Sequence, residues 1–189
     1  LSYSQWEIQN SGVSVALRDV FFVDSLYGWA VGDSGTIIAT ADGGRTWIGK
    51  NGPIDSVEFR QVQFLNREIG FVGGNTIKKF STHEARQVIF LRTTNSGINW
   101  ERCDSSFGSD LSFGNMQFLD ADNGWISINN IGSTGWDDRK GILLKTTDGG
   151  RSWSVLQEYN FLLVGAVAFF NVKQGYSFWS PFRDNYDDT

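Results

Sequence analysis

Arg18 and Arg60 occupy the same column of a repeating pattern, one residue into an apolar strand. Two guanidinium groups so placed could hold a carboxylate or phosphate through paired hydrogen bonds. The third and fourth repeats carry Gly114 and Gly165 in that column. Aromatic side chains beside carboxylates occur in two later stretches, Trp136-Asp137-Asp138-Arg139 and Trp179 with Phe182, Arg183, Asp184, Tyr186, Asp187 and Asp188. Such sets suit sugar stacking with hydrogen bonds, a protein hot spot, or plain packing between neighbouring loops. A glycosidase needs two carboxylates flanking the scissile bond, and Asp19, Asp33, Glu84, Asp110 and Asp137 are candidates that spacing does not rank. No nucleophile, base and orienter stand in a recognisable order. The reading therefore leans to binding rather than catalysis.

Composition narrows the chemistry further. A single His83 and a single Cys103 remove zinc patterns and intrachain disulfides. The adjacent pairs Asp137/Asp138 and Asp187/Asp188 lack the spacing of a calcium loop, so neither metal nor cofactor is expected. A net charge of −5 argues against a nucleic-acid surface. The longest apolar run, residues 161–170, is about strand-sized, so no membrane span is expected. The sequence begins at Leu1, which suggests that an N-terminal segment has been removed.

The elements that must position these residues are repeats. One octapeptide occurs three times, as Thr40-Ala41-Asp42-Gly43-Gly44-Arg45-Thr46-Trp47, Thr93-Thr94-Asn95-Ser96-Gly97-Ile98-Asn99-Trp100 and Thr146-Thr147-Asp148-Gly149-Gly150-Arg151-Ser152-Trp153, with successive Trp residues 53 apart. A second element occurs four times as a Gly before an aromatic: Gly28-Trp29, Gly70-Phe71, Gly124-Trp125 and Gly175-Tyr176. Six residues before each Gly stands Phe22, Phe64, Phe118 or Phe169, and four before it Asp24, Asn66, Asp120 or Asn171. Short apolar strands separated by such turns predict one antiparallel sheet per period and no helix. A sheet with two apolar faces must stack on its neighbours, so the expected fold is an all-β propeller of four-stranded blades.

The octapeptides resemble the Asp-box, or bacterial neuraminidase repeat, S/T-x-D-x-G-x-T-W. The first matches at every specified position, the third has Ser152 for Thr, and the second has Asn95 for Asp and Asn99 for Thr, which predicts a looser turn. The box positions Asp42, Gly44, Trp47, Asn95, Gly97, Trp100, Asp148, Gly150 and Trp153 read as structural, with Asp accepting turn N–H groups, Gly at positive φ and Trp packed into the blade.

The fuller pattern from Leu17 to Asp24 and from Gly28 to Ile37, followed by the box, resembles the photosystem II stability and assembly factor family and its bacterial relatives. That resemblance implies a non-catalytic, extracytoplasmic scaffold with a protein partner, and arginines on one face of the ring. Other Asp-box propellers are sialidases and xyloglucan-hydrolysing enzymes, so a glycoside hydrolase or carbohydrate-binding propeller is the alternative. Sialidases usually carry an Arg-Ile-Pro segment, which this sequence lacks.

At 53 residues per period the 189 residues make about 3.6 blades, which suggests part of a larger ring, of six to eight blades by the family resemblance; a compact four-bladed ring in which Trp6-Glu7-Ile8 completes the last blade is the alternative. The expected divisions are 1–12 as the end of one blade, then 13–53, 54–106, 107–159 and an incomplete 160–189. The distance from the Gly-aromatic residue to the box Trp is 18, 29 and 28 residues in turn, so the second and third repeats carry insertions at 75–86 and 129–140. Both are expected to be loops on the functional face, the first a charged tip with Lys78, Lys79, His83, Glu84 and Arg86.

Overall fold

The computed structural model describes residues 7–50, 54, 56–79, 84–103, 107–108, 110–130 and 139–181. Among these, every regular element is a strand. The first sheet contains β1 (Leu17–Phe22), β2 (Gly28–Gly32), β3 (Ile37–Thr40) and β4 (Ile48–Lys50). The second contains β5 (Val57–Phe64), β6 (Gly70–Lys79), β7 (Glu84–Thr93) and β8 (Glu101–Arg102). The third contains β9 (Leu111–Phe118), β10 (Gly124–Asn130), β11 (Lys140–Thr146) and β12 (Ser154–Asn160), and the last sheet pairs β13 (Leu162–Asn171) with β14 (Gln174–Pro181). Each sheet is an antiparallel meander in chain order, the arrangement of a propeller blade.

The Asn/Asp column makes the first turn of every blade. The Asp24 carboxylate accepts the N–H groups of Leu26 and Tyr27 at 2.8 and 3.0 Å, and Asn66, Asp120 and Asn171 repeat the same pair of bonds. A short polar side chain thus does the work of a backbone turn.

Adjacent blades meet through one aromatic stack, built three times. The ring after the glycine lies flat on the phenylalanine of the next blade: Trp29 on Phe64 at 3.6 Å, Phe71 on Phe118 at 3.6 Å and Trp125 on Phe169 at 3.9 Å. The box Trp of the same blade closes on that phenylalanine edge-on, Trp100 at 6.2 Å from Phe64 and Trp153 at 6.2 Å from Phe118. The glycine column exists because the phenylalanine ring covers it. A Cβ on Gly28, Gly70, Gly124 or Gly175 would stand 2.7, 2.5, 2.4 or 2.3 Å from that ring.

Polar side chains join the same blades. Gln63 accepts the Phe118 N–H at 2.8 Å and donates to the Phe118 carbonyl at 2.8 Å. Gln61 makes the same pair with Met116, and Gln117 with Phe169. Asn115 accepts the Val167 N–H and Asp19 that of Val62. The innermost strands β5, β9 and β13 each have a free backbone edge, and the preceding blade supplies its missing partners.

Replacing Gly70 by Ala pushes a methyl group into the Phe64 ring and is expected to destabilise the fold by roughly 1–3 kcal/mol. Gln63→Met, which deprives two Phe118 backbone groups of their partner, should cost about 1–3 kcal/mol. Urea unfolding of both variants beside the wild type measures these losses.

Candidate functional site

The meander puts the start of each first strand, the hairpin from second to third strand, and the start of the next blade at one end of the sheets. The Asn/Asp turns and the boxes lie at the other end. Arg18, Arg60, Arg139 and Trp179 all belong to the first end. Arg18 and Arg60 are in addition the extra residues of β-bulges, since the pairing of β1 with β2 skips from Leu17 to Asp19 and that of β5 with β6 from Phe59 to Gln61. A bulge re-aims its side chain. The facing residues Gly32 and Gly74 leave room for the bulged backbone, because a Cβ there would come within 2.1 Å of the Ala16 carbonyl or 2.2 Å of the Glu58 carbonyl.

The two arginines come together, but as members of a charge-balanced group. Arg18 donates from Nε and Nη2 to both Asp33 oxygens at 2.8 and 2.9 Å, and Arg60 donates to Glu58 at 2.8 Å. The Asp33 bond raises the Arg18 pKa, and the same bond lowers that of Asp33, helped by the charge of Arg60. The expected open arginine pair is thus an Arg18–Asp33–Glu58–Arg60 cluster. Gly114 fills the column in the third blade because a Cβ there would lie 2.5 Å from Ser127 Oγ and 2.9 Å from the Val164 carbonyl.

Arg139 precedes β11, and its carbonyl accepts the Phe161 N–H at 2.9 Å. Trp179, on β14, is 58% exposed. Trp136, Asp137, Asp138, Arg183 and Tyr186 lie outside the described residues, as does His83. The insertion of the second blade is a correction: its described residues, 75–79 and 84–86, continue the hairpin of β6 and β7 as far as the pair Lys79 and Glu84, where a loop was expected. Its length extends the sheet.

Of the carboxylates weighed for catalysis, Asp19 and Asp33 are engaged in hydrogen bonds. Asp19 accepts the Val20 and Val62 N–H groups on its two oxygens, and Asp33 holds Arg18. In the boxes, Asp42 accepts the Thr46 N–H at 2.9 Å, the Thr46 hydroxyl at 2.6 Å and the Thr40 hydroxyl at 2.8 Å. Asp148 repeats this with Ser152 and Thr146. Gly44, Gly97 and Gly150 take φ of 88°, 77° and 90°. Asn95 keeps the bond to the Asn99 N–H at 2.9 Å, but Asn99 has no hydroxyl to return. Sequence reasoning missed Asp33 and Glu58 as arginine partners; the Gly32 and Gly74 that accompany the bulges were the available signal.

Hydrogen bonds from Thr46 hold the Asp42 pKa at about 2, and Asp148 sits at about 2 because its bonds from Ser152 outweigh the raising effect of burial. Both folded values lie below the usual carboxylate value, so the boxes stabilise the fold above about pH 4, and this is lost as pH falls toward 2. An Asp42→Asn/Asp148→Asn variant, which copies Asn95, should show a flatter stability loss between pH 4 and 2 in urea titrations. A slope equal to the wild type's would contradict this.

Repeated four-stranded meanders, flat inter-blade aromatic stacks and Asp-box turns define an Asp-box β-propeller. The model of the family described as Photosynthesis system II assembly factor YCF48 matches residues 1–107, more than half of the chain. The chain belongs to that family. Among its relatives, the photosystem II assembly protein Ycf48 of Thermosynechococcus vestitus is 33% identical over 70 residues, 36% of this chain and 20% of that protein. The chloroplastic photosystem II stability/assembly factor HCF136 of Oryza sativa subsp. japonica is 30% identical over 129 residues, 64% of this chain and 27% of that protein. The chain therefore spans about a quarter of the length of these relatives. In fold it is similar to the GH74 enzyme of Niastella koreensis, with a TM-score of 0.57 at 16% identity over 80% of this chain and 24% of that one.

Proposed function

We propose that this chain is part of a non-catalytic, extracytoplasmic propeller scaffold that binds a protein partner in the assembly of photosystem II. The observation that carries this reading is the family match over residues 1–107, a stretch that includes both bulged arginines and their partners Asp33 and Glu58. The likeness to GH74 enzymes is one of fold, and fold carries no activity with it.

The cluster suits recognition by exchange. The side chains of Arg18 and Asp33 are 42% and 27% exposed, and ion pairs so placed are screened by solvent and hold only weakly. A partner carboxylate can take the place of Asp33 or Glu58 at little net cost. The arginines then set orientation and association rate more than affinity. Affinity falls to apolar anchors, of which exposed Trp179 is the described example.

Binding kinetics with purified photosystem II assembly intermediates test the reading. Arg18→Ala/Arg60→Ala should slow association about 3–10-fold at low salt and much less at high salt, with dissociation nearly unchanged. Trp179→Ala should speed dissociation instead. Absence of binding by the wild type, or turnover of xyloglucan by it, would overturn the proposal.

A further inference from the structure

The second box differs from the other two in a way that leaves a positive charge poorly compensated. Arg92, near the end of β7, pairs across the sheet with Glu101 of β8, where the first blade has the apolar pair Ala39 and Ile48. Its side chain reaches the third box, since a Cβ on Gly149 would stand 3.0 Å from Arg92 Nε. That side chain is only 9% exposed, and its ion pair with Glu101 is stretched to 3.8 Å. The buried Nε has no hydrogen-bond partner among the described residues. Glu101 is held instead by Arg151 of the third box, through Nε and Nη2 at 3.2 Å each. Two guanidinium groups therefore share one carboxylate. A buried charge left with so little pairing is costly, and a second anion beside it would remove that cost.

Room for the anion is present. A recess of about 190 Å³ is bordered by Arg92, Thr94, Asn95, Asn99, Trp100 and Glu101. It is smaller than the roughly 300 Å³ at which pockets for drug-sized ligands begin, and it suits a single carboxylate or phosphate group with a few waters. Asp42 and Asp148 of the other boxes are replaced by Asn95 in this one. The one carboxylate bordering the recess, among the described residues, is that of Glu101, which Arg151 already neutralises. Asn95 Oδ1 accepts the Thr93 hydroxyl at 3.1 Å and the Asn99 N–H at 2.9 Å, which leaves its amide nitrogen as a donor. Asn99, where the other boxes have Thr46 and Ser152, supplies a second side-chain amide. The buried Trp100 Nε1 also has no partner among the described residues.

We propose that the hollow of the second box binds an oxoanion, the carboxylate or phosphate group of a ligand, with Arg92 as its charged partner and the amides of Asn95 and Asn99 at its rim. The site lies on the seam of the second and third blades, at the end opposite the Arg18–Asp33–Glu58–Arg60 cluster. It is independent of the photosystem partner. The Asn residues that make the second box irregular are then what admits the anion, because an Asp at position 95 would repel it.

The Trp100 indole N–H resonance, followed in nitrogen–proton correlation spectra, reads the site directly. At fixed ionic strength, with chloride as the balancing ion, inorganic phosphate or acetate should shift it saturably in the millimolar range. Saturation by phosphate alone assigns the site to a phosphate group, and saturation by acetate, with or without phosphate, assigns it to a carboxylate. Arg92→Gln should weaken binding by roughly 10–100-fold, the scale of lost charge-assisted hydrogen bonds. Because Arg92 is buried, Asn95→Asp is the second variant. It restores the residue of the other boxes, should leave the fold intact by circular dichroism, and should weaken binding by about 10-fold or more. No saturable shift with either anion, or an affinity unchanged by Asn95→Asp, would overturn the proposal.

Discussion

The structure depends on a phenylalanine ring lying over a glycine and clasped by two other aromatics. In the second blade, Phe64 covers Gly70, carries Trp29 of the first blade on one side and meets the box residue Trp100 edge-on. The third blade repeats the arrangement with Phe118, Gly124, Phe71 and Trp153. Such ring pairs contribute about 0.5–1.5 kcal/mol beyond their area. Their geometric demand is more consequential. The ring can reach its neighbour only if the second strand begins with a residue that has no Cβ, and the box turn must deliver a tryptophan to the same spot.

The hydrogen-bonded counterpart of this stack is the clamp from one innermost strand to the next. Apolar burial alone would let blades slide along one another. Gln63, which both accepts from and donates to Phe118, allows a single register. A scaffold held this way is rigid at the turn end and leaves the other end for variation. There the bulges at Arg18 and Arg60 interrupt pairing and turn charged side chains out of the sheet.

The propeller class and the boxes were legible because each rests on residue identity at fixed spacing: Trp47, Trp100 and Trp153, and the four Gly-aromatic pairs. The clamp column was not, because Asp19, Gln61, Asn115 and Ala166 share no chemical type and reveal a common role only through the strand they face. The glycines before the aromatics were visible as a column, but their reason, a covering ring and not a turn, needed coordinates. Arg18 and Arg60 share a column in the sequence, and the structure sets both at β-bulges at one end of their sheets. Their neutralisation is not legible in the sequence, since Asp33 is 15 residues beyond Arg18 and is brought back by the pairing of β1 with β2. The extra residues of the second blade look like a loop in one dimension because their charges mask a strand-extending pattern.

The claim that the aromatic seam joins the blades is tested most directly by a double-mutant cycle on Phe71→Leu and Phe118→Leu, read by equilibrium urea unfolding. The rings stack at 3.6 Å, and the account predicts a coupling energy of about 0.5–1.5 kcal/mol between the two substitutions. Strict additivity, with each loss explained by its own buried area, would contradict it.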